Sequence, residues 1–198
     1  MKTLLLMMAL LVGSTGCAEA KDNFNNNANN SNDGEDMKDK KILVVYYSWS
    51  GNTETVARTI QAETGADIFE IQLTEPFSTD YNTVAQQYRE DNRTGTNRKL
   101  KNTVENLSEY DIIILGAPIW GGTRALPVKS FLLEHNLSGK TVAPFTTHGG
   151  GGAGSCFSDM KREAPQATFT DGLSLSSGQS HNSQAAVERW LKNIDIIE

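Results

Sequence analysis

The chain is poor in cysteine, with only Cys17 and Cys156 in 198 residues. A domain downstream of Cys17 then holds a single thiol, which excludes an internal disulfide and leaves an ordinary core to hold the fold. Basic runs are missing and the net charge is −6, so the sequence carries no electrostatic footprint for nucleic acid. Long apolar runs are also missing. The stretch Leu4 to Val12 is uncharged but far shorter than the roughly 20 residues a membrane-spanning helix requires.

What residues 1–17 do carry is a short positive start at Lys2, that apolar run, and the small residues Gly13, Ser14, Thr15 and Gly16 before Cys17. This is the layout of a secretory signal segment. Its end resembles a bacterial lipobox, with Ser14 where such motifs usually carry Leu, and the resemblance implies lipidation of Cys17. The expected location is outside the cytoplasm, on a membrane held through the lipid anchor alone. Residues 18–40 are rich in Asn and acidic side chains, with Phe24 and Met37 the only large apolar ones. Such a stretch buries too little surface to offset its ordering entropy and reads as a disordered tether. Residues 41–198 are then one domain.

Within that domain strands and helices alternate. Residues 42–47 (ILVVYY) are a continuous apolar run, the mark of a strand covered on both faces. Further strands are predicted over 67–72, 110–115, 141–146 and 167–175. Helices are predicted over 53–63, 81–90, 102–107, 126–134, 154–162 and 184–194. Five strands joined by crossovers give an α/β fold, a parallel sheet with helices on both faces. Ligands of such sheets bind beyond the carboxyl ends of the strands, so the loops after strands one, three and four are the places to look.

The first loop, Ser48-Trp49-Ser50-Gly51-Asn52-Thr53, offers three hydroxyls, an amide and a glycine at a helix start. Backbone N–H groups and the macrodipole there attract an anion such as phosphate. Simple N-capping by Ser or Thr is the plainer alternative. The loop lacks the Gly-Lys-Ser/Thr of a P-loop, the three-glycine dinucleotide fingerprint and any cysteine nucleophile. Ser50 is not in a Gly-x-Ser-x-Gly elbow, because Ser48 holds the first position. The second loop, 116–123, contains Pro118-Ile119-Trp120-Gly121-Gly122, an indole beside two glycines suited to stacking on a flat heteroaromatic ring. The third contains Thr147-His148-Gly149-Gly150, followed by further glycines that let main chain approach a ligand.

Together these motifs resemble flavodoxins across nearly all of residues 41–198. The resemblance implies a three-layer sandwich with a five-stranded parallel sheet in the order 2-1-3-4-5. It also implies FMN as cofactor. Ser48, Ser50, Asn52 and Thr53 would hold the phosphate, with Gly51 turning the loop and Trp49 beside it. Trp120 would flank the isoalloxazine between Pro118, Ile119, Gly121 and Gly122, and the Gly121 peptide would rotate as the ring is reduced. Thr147, His148, Gly149 and Gly150 complete the expected cofactor-binding set, with no metal and no catalytic side chain. Flavodoxins carry an acidic residue and often a Tyr in the third loop. Here that loop is neutral, which implies a less extreme reduction potential.

Trp49, His148, Tyr81 and Tyr88 are all candidates to cover the outer flavin face. The segment 73–107 is either a lid or partner surface, or a solvated insertion. His148 either donates a proton or hydrogen bond or is a hydrogen-bonding spectator, and Cys156, at a helix start, either has a lowered pKa or packs as a small hydrophobe. The function that follows is electron transfer between a reductase and an acceptor, with redox proteins or a small electron acceptor as partners. A two-electron NAD(P)H-dependent FMN reductase acting on quinone-like acceptors is the alternative. A flavin-free binding module on the same fold is the third, since the N-terminal segment lacks the twin arginine used to export folded, loaded proteins.

Overall fold

The computed structural model describes residues 40–198; the expected signal segment, Cys17 and all but the last residue of the expected tether lie outside the described residues. Strands β1 (Ile42–Tyr46), β2 (Asp67–Glu70), β3 (Ile112–Trp120) and β5 (Thr141–His148) are parallel, in the order β2-β1-β3-β5. Val44 lies opposite Ile68 on one side and Ile114 on the other, and Ile114 lies opposite Ala143. Two short strands, β6 (Thr168–Phe169) and β7 (Leu173–Ser176), both pair with β5 in parallel. A further two-residue strand, β4 (Thr123–Arg124), turns back antiparallel on the end of β3.

Among the described residues the sheet therefore has seven strands where five were expected, in the expected order with the fifth position split. Pro144 accounts for the split. Thr170 donates its N–H to the Val142 carbonyl at 3.0 Å. Two residues on, Pro144 faces the same neighbour without an N–H to offer. Pairing resumes only at Phe145 with Leu173.

Helices α1 (Asn52–Thr64), α5 (Ser177–Ser180) and α6 (Gln184–Asn193) cover one face, and α3 (Leu126–Glu134) and α4 (Cys156–Glu163) the other. Helix α2 (Tyr81–Thr94) lies in the long segment before β3. Side chains of a strand alternate between faces. Val44 and Ile114 thus pack with Val56 and Ile60 of α1 and Leu191 of α6. Their neighbours Val45 and Leu115 pack with Phe131 of α3 and Met160 of α4. Burying one such side chain as fully as Phe131 contributes roughly 2–3 kcal/mol.

Three other elements differ from expectation. The loop predicted from Gly116 is strand as far as Trp120, because β5 pairs beside it up to Pro118, opposite Thr147, and β4 folds back to pair with Ile119 and Trp120. The helix predicted over 102–107 is only a 3-10 turn at Leu107–Glu109. Asn102 is instead pinned to the end of β2: its Oδ1 accepts from the Gln72 N–H (3.0 Å) and its Nδ2 donates to the Glu70 carbonyl (2.9 Å). And α5, which no apolar periodicity announced, is closed by a capping box between Ser176 and Gln179.

Candidate functional site

Helix α1 starts directly beyond the carboxyl end of β1. The residue at its cap is Gly51, in the left-handed region at φ 85°, and no side chain caps the helix. Plain Ser or Thr capping is therefore not what the first loop does. The first-turn N–H groups of Asn52, Thr53 and Glu54 meet no acceptor among the described residues. They form an anion cradle reinforced by the helix dipole. Nearby, the buried Ser48 Oγ also has no hydrogen-bond partner, and a buried hydroxyl without one is costly unless a ligand supplies it. No Lys or Arg lies in the loop, so neutral donors carry the whole task.

The other loop residues are fastened in place. Thr53 and Thr147, both buried, share a hydroxyl–hydroxyl hydrogen bond of 2.8 Å that ties the first loop to the third. Asn52 Nδ2 donates to Ser50 Oγ at 3.0 Å. His148 Nδ1 accepts from the Gly150 N–H at 3.0 Å, which leaves Nε2 to carry the ring proton.

Beside the cradle lies a cleft of about 340 Å³. Trp49, Ile119, Trp120, Gly121 and Gly149 line it from the three loops, and Tyr81, Val84, Ala85 and Tyr88 line it from α2. Its lining has no carboxylate, Lys, Arg or His. Trp120 is held by three nearly perpendicular ring contacts, to Phe77 (5.0 Å), Tyr88 (5.8 Å) and Tyr47 (5.9 Å). Tyr88 also donates its hydroxyl to the Trp120 carbonyl at 3.1 Å. Of the expected set, Pro118, Gly122, Thr147, His148 and Gly150 do not line the cleft. They sit in the β3–β5 ladder and the turns behind it, where the Gly122 carbonyl accepts from the Ser155 N–H (2.8 Å).

The segment 73–107 is packed, which removes the solvated-insertion alternative. Phe77, Val84 and Leu100 are buried in the core cluster. Trp49 Nε1 donates to the Ser78 carbonyl at 2.8 Å, and Arg98 lies over Phe77 while pairing with Asp91 at 2.6 Å. This segment supplies one wall of the cleft. Periodicity placed α2, but nothing in the sequence said which of its faces would meet Trp120. A larger groove of about 970 Å³ between α1 and the α5–α6 turn is open, and charges of both signs, Glu54, Arg58 and Glu188, line it.

Behind the cleft a buried polar network fixes the β3–β4 turn to α4. Arg124 pairs with Glu163, and Asp159 accepts from Thr123, Arg162 and Ser155, the last at 2.6 Å. Burial alone would raise the Asp159 pKa, but the hydrogen bonds from Ser155, Thr123 and Arg162 outweigh it and hold the carboxyl at about 2. Of the two readings of Cys156 the packed one holds: it is fully buried, and burial pushes its thiol up to about 12, so it packs as a small apolar side chain.

An α/β sheet with free first-turn amides and an uncharged aromatic cleft at its carboxyl edge has the geometry to take an anion beside a flat ring. The flavodoxin family model matches residues 41–194, and the chain belongs to that family. It is similar to a candidate flavoprotein of Bacteroides eggerthii, with 28% identity and a TM-score of 0.70 over 80% of this chain and 99% of that one. A flavoprotein of Lactobacillus acidophilus, solved in complex with FMN, has 26% identity and a TM-score of 0.63 over 76% and 98%. A candidate flavoprotein of Bacteroides uniformis shares the fold, with 24% identity and a TM-score of 0.68 over 77% and 98%.

Two stability predictions follow from this geometry. The Asp159 pKa is depressed from an ordinary value of 3.8, so its contribution is complete above about pH 4 and fades as pH falls towards 2. Asp159→Asn is expected to cost about 1–2 kcal/mol at pH 7 and to flatten the acid limb of the Tm–pH curve. An unchanged acid limb would contradict the assignment. Among the glycines, Gly122→Ala meets open space at φ 84° and should cost about 1 kcal/mol for its backbone alone. Gly121→Ala should cost more, since the methyl collides with the Tyr88 ring, and Gly154→Ala most, since it strikes the Gly122 carbonyl. Denaturant titration ranks the three, and equal losses would refute the packing described.

Proposed function

We propose that this chain binds FMN at the carboxyl edge of its sheet and carries electrons between a reductase and an acceptor. The observation that carries the proposal is the uncapped start of α1 lying beside an uncharged aromatic cleft. The residues fit the group. The amides of Asn52, Thr53 and Glu54, with the hydroxyls of Ser48 and Ser50, are the donors for the phosphate. Trp49, Trp120, Tyr81 and Tyr88 frame the space for the ring, and the complex of the Lactobacillus acidophilus relative with FMN supports this reading.

Bound there, FMN supplies the redox chemistry. The chain's own residues hold, orient and shield it. No cleft-lining side chain is a carboxylate, His, Lys or Cys, which favours a carrier over an enzyme with its own acid–base machinery. His148 stays outside the lining. The reductase alternative draws on one observation: Tyr81, a lining residue of the cleft, is 72% exposed, an open aromatic edge suited to a small planar acceptor. We also propose that the domain works outside the cytoplasm, on a lipid carried by Cys17; if Cys17→Ser leaves the protein in the membrane fraction, that part fails.

An FMN titration of the apo protein, followed by flavin fluorescence, should show saturable quenching at micromolar affinity or tighter. Absence of binding would contradict the proposal and leave the binding-module alternative. Reduction of the complex in two resolved one-electron steps marks a carrier. Rapid NAD(P)H oxidation with a quinone marks the reductase.

A further inference from the structure

A phosphate loop without a cation depends on where its neutral hydrogens point. Ser180, at the end of α5, is fully buried and 128 residues from Asn52 in sequence. Its hydroxyl proton is shared between the Ser177 carbonyl (2.6 Å) and Asn52 Oδ1 (2.9 Å). With Oδ1 engaged, Asn52 turns Nδ2 towards Ser50 and donates to its Oγ at 3.0 Å. Ser50 is exposed, and its oxygen already accepts from Asn52, so its own hydrogen is left for a ligand.

We propose that Ser180 is a positioning residue which, through Asn52, commits the Ser50 hydroxyl to donating to the FMN phosphate. The proposal rests on the FMN reading above. The base of this chain of bonds is itself fixed. The Ser176–Gln179 capping box closes α5, and Ser177 Oγ donates to the His148 carbonyl at 3.2 Å. The segment after β7 therefore holds the first loop and the third loop at once. Orientation of neutral donors by a buried hydroxyl replaces the positive charge the loop lacks.

The test compares FMN with riboflavin, which lacks the phosphate, by fluorescence quenching on the full chain. Ser180→Ala and Ser50→Ala should each weaken FMN binding about five- to tenfold and leave riboflavin affinity unchanged. Adding Ser180→Ala to Ser50→Ala should bring no further loss, since the first acts through the second. Asn52→Ala, at the half-buried start of α1, breaks the same chain without opening the interior, and its pairing with Ser50→Ala must show the same non-additivity. Equal losses for FMN and riboflavin, or losses that add across the pairs, would overturn the relay while leaving FMN binding in place. If the unaltered protein binds FMN no more tightly than riboflavin, the phosphate site and the relay both fail.

Discussion

Everything at this site depends on one backbone event, the left-handed turn at Gly51. It swings the chain from the buried end of β1 into α1 with no side chain in the capping position, so the first-turn amides meet no acceptor among the described residues. A residue with a Cβ resists that φ, and a Ser or Asp at the cap would fill the donors from within. The surroundings serve to hold this turn still. Thr147 grips Thr53 from β5, Ser180 grips Asn52 from α5, and the Ser78 carbonyl grips Trp49 from the long insertion. An anion bound there meets a preset array of dipoles rather than a charge, which favours a ligand with several acceptor oxygens.

The ring side of the site follows a different logic. Its walls are aromatic and uncharged, and the rigidity comes from behind. The Arg124–Glu163 pair and the Asp159 hydrogen bonds lie between the β3–β4 turn and α4. A buried ion pair of this kind adds little net stability over apolar packing. What it does provide is a fixed path for the backbone through Gly121 and Gly122. Tyr88 closes the arrangement from the front by holding the Trp120 carbonyl.

Much of this was legible in the sequence where local chemistry sets the outcome. The run ILVVYY read as a strand buried on both faces, and the glycine within the hydroxyl-rich stretch 48–53 marked the turn into α1. Pro144 could have announced the split fifth strand, since a proline inside a sheet must leave one neighbour unpaired. Long-range pairing was not legible. The loop before Trp120 proved to be strand because β5 extends beside it to Pro118 and β4 folds back on Ile119 and Trp120, and Asn102 lost its helix to a contact with Glu70 and Gln72 from 30 residues away or more. Ser180 carries no local signal either, because its role exists only once α5 is packed against α1. Cys156, at a helix start, left a reactive and a packed reading open, and burial, which position does not reveal, decided for the packed one.

The central claim is that main-chain amides at the start of α1 bind the phosphate, and the amide NMR signals of Asn52, Thr53 and Glu54 test it most directly. Adding FMN should shift these three strongly downfield, as new charge-assisted hydrogen bonds form, while riboflavin leaves them nearly unmoved. If FMN shifts only residues of the aromatic cleft and leaves these amides where they were, the anion cradle is not what this turn is for.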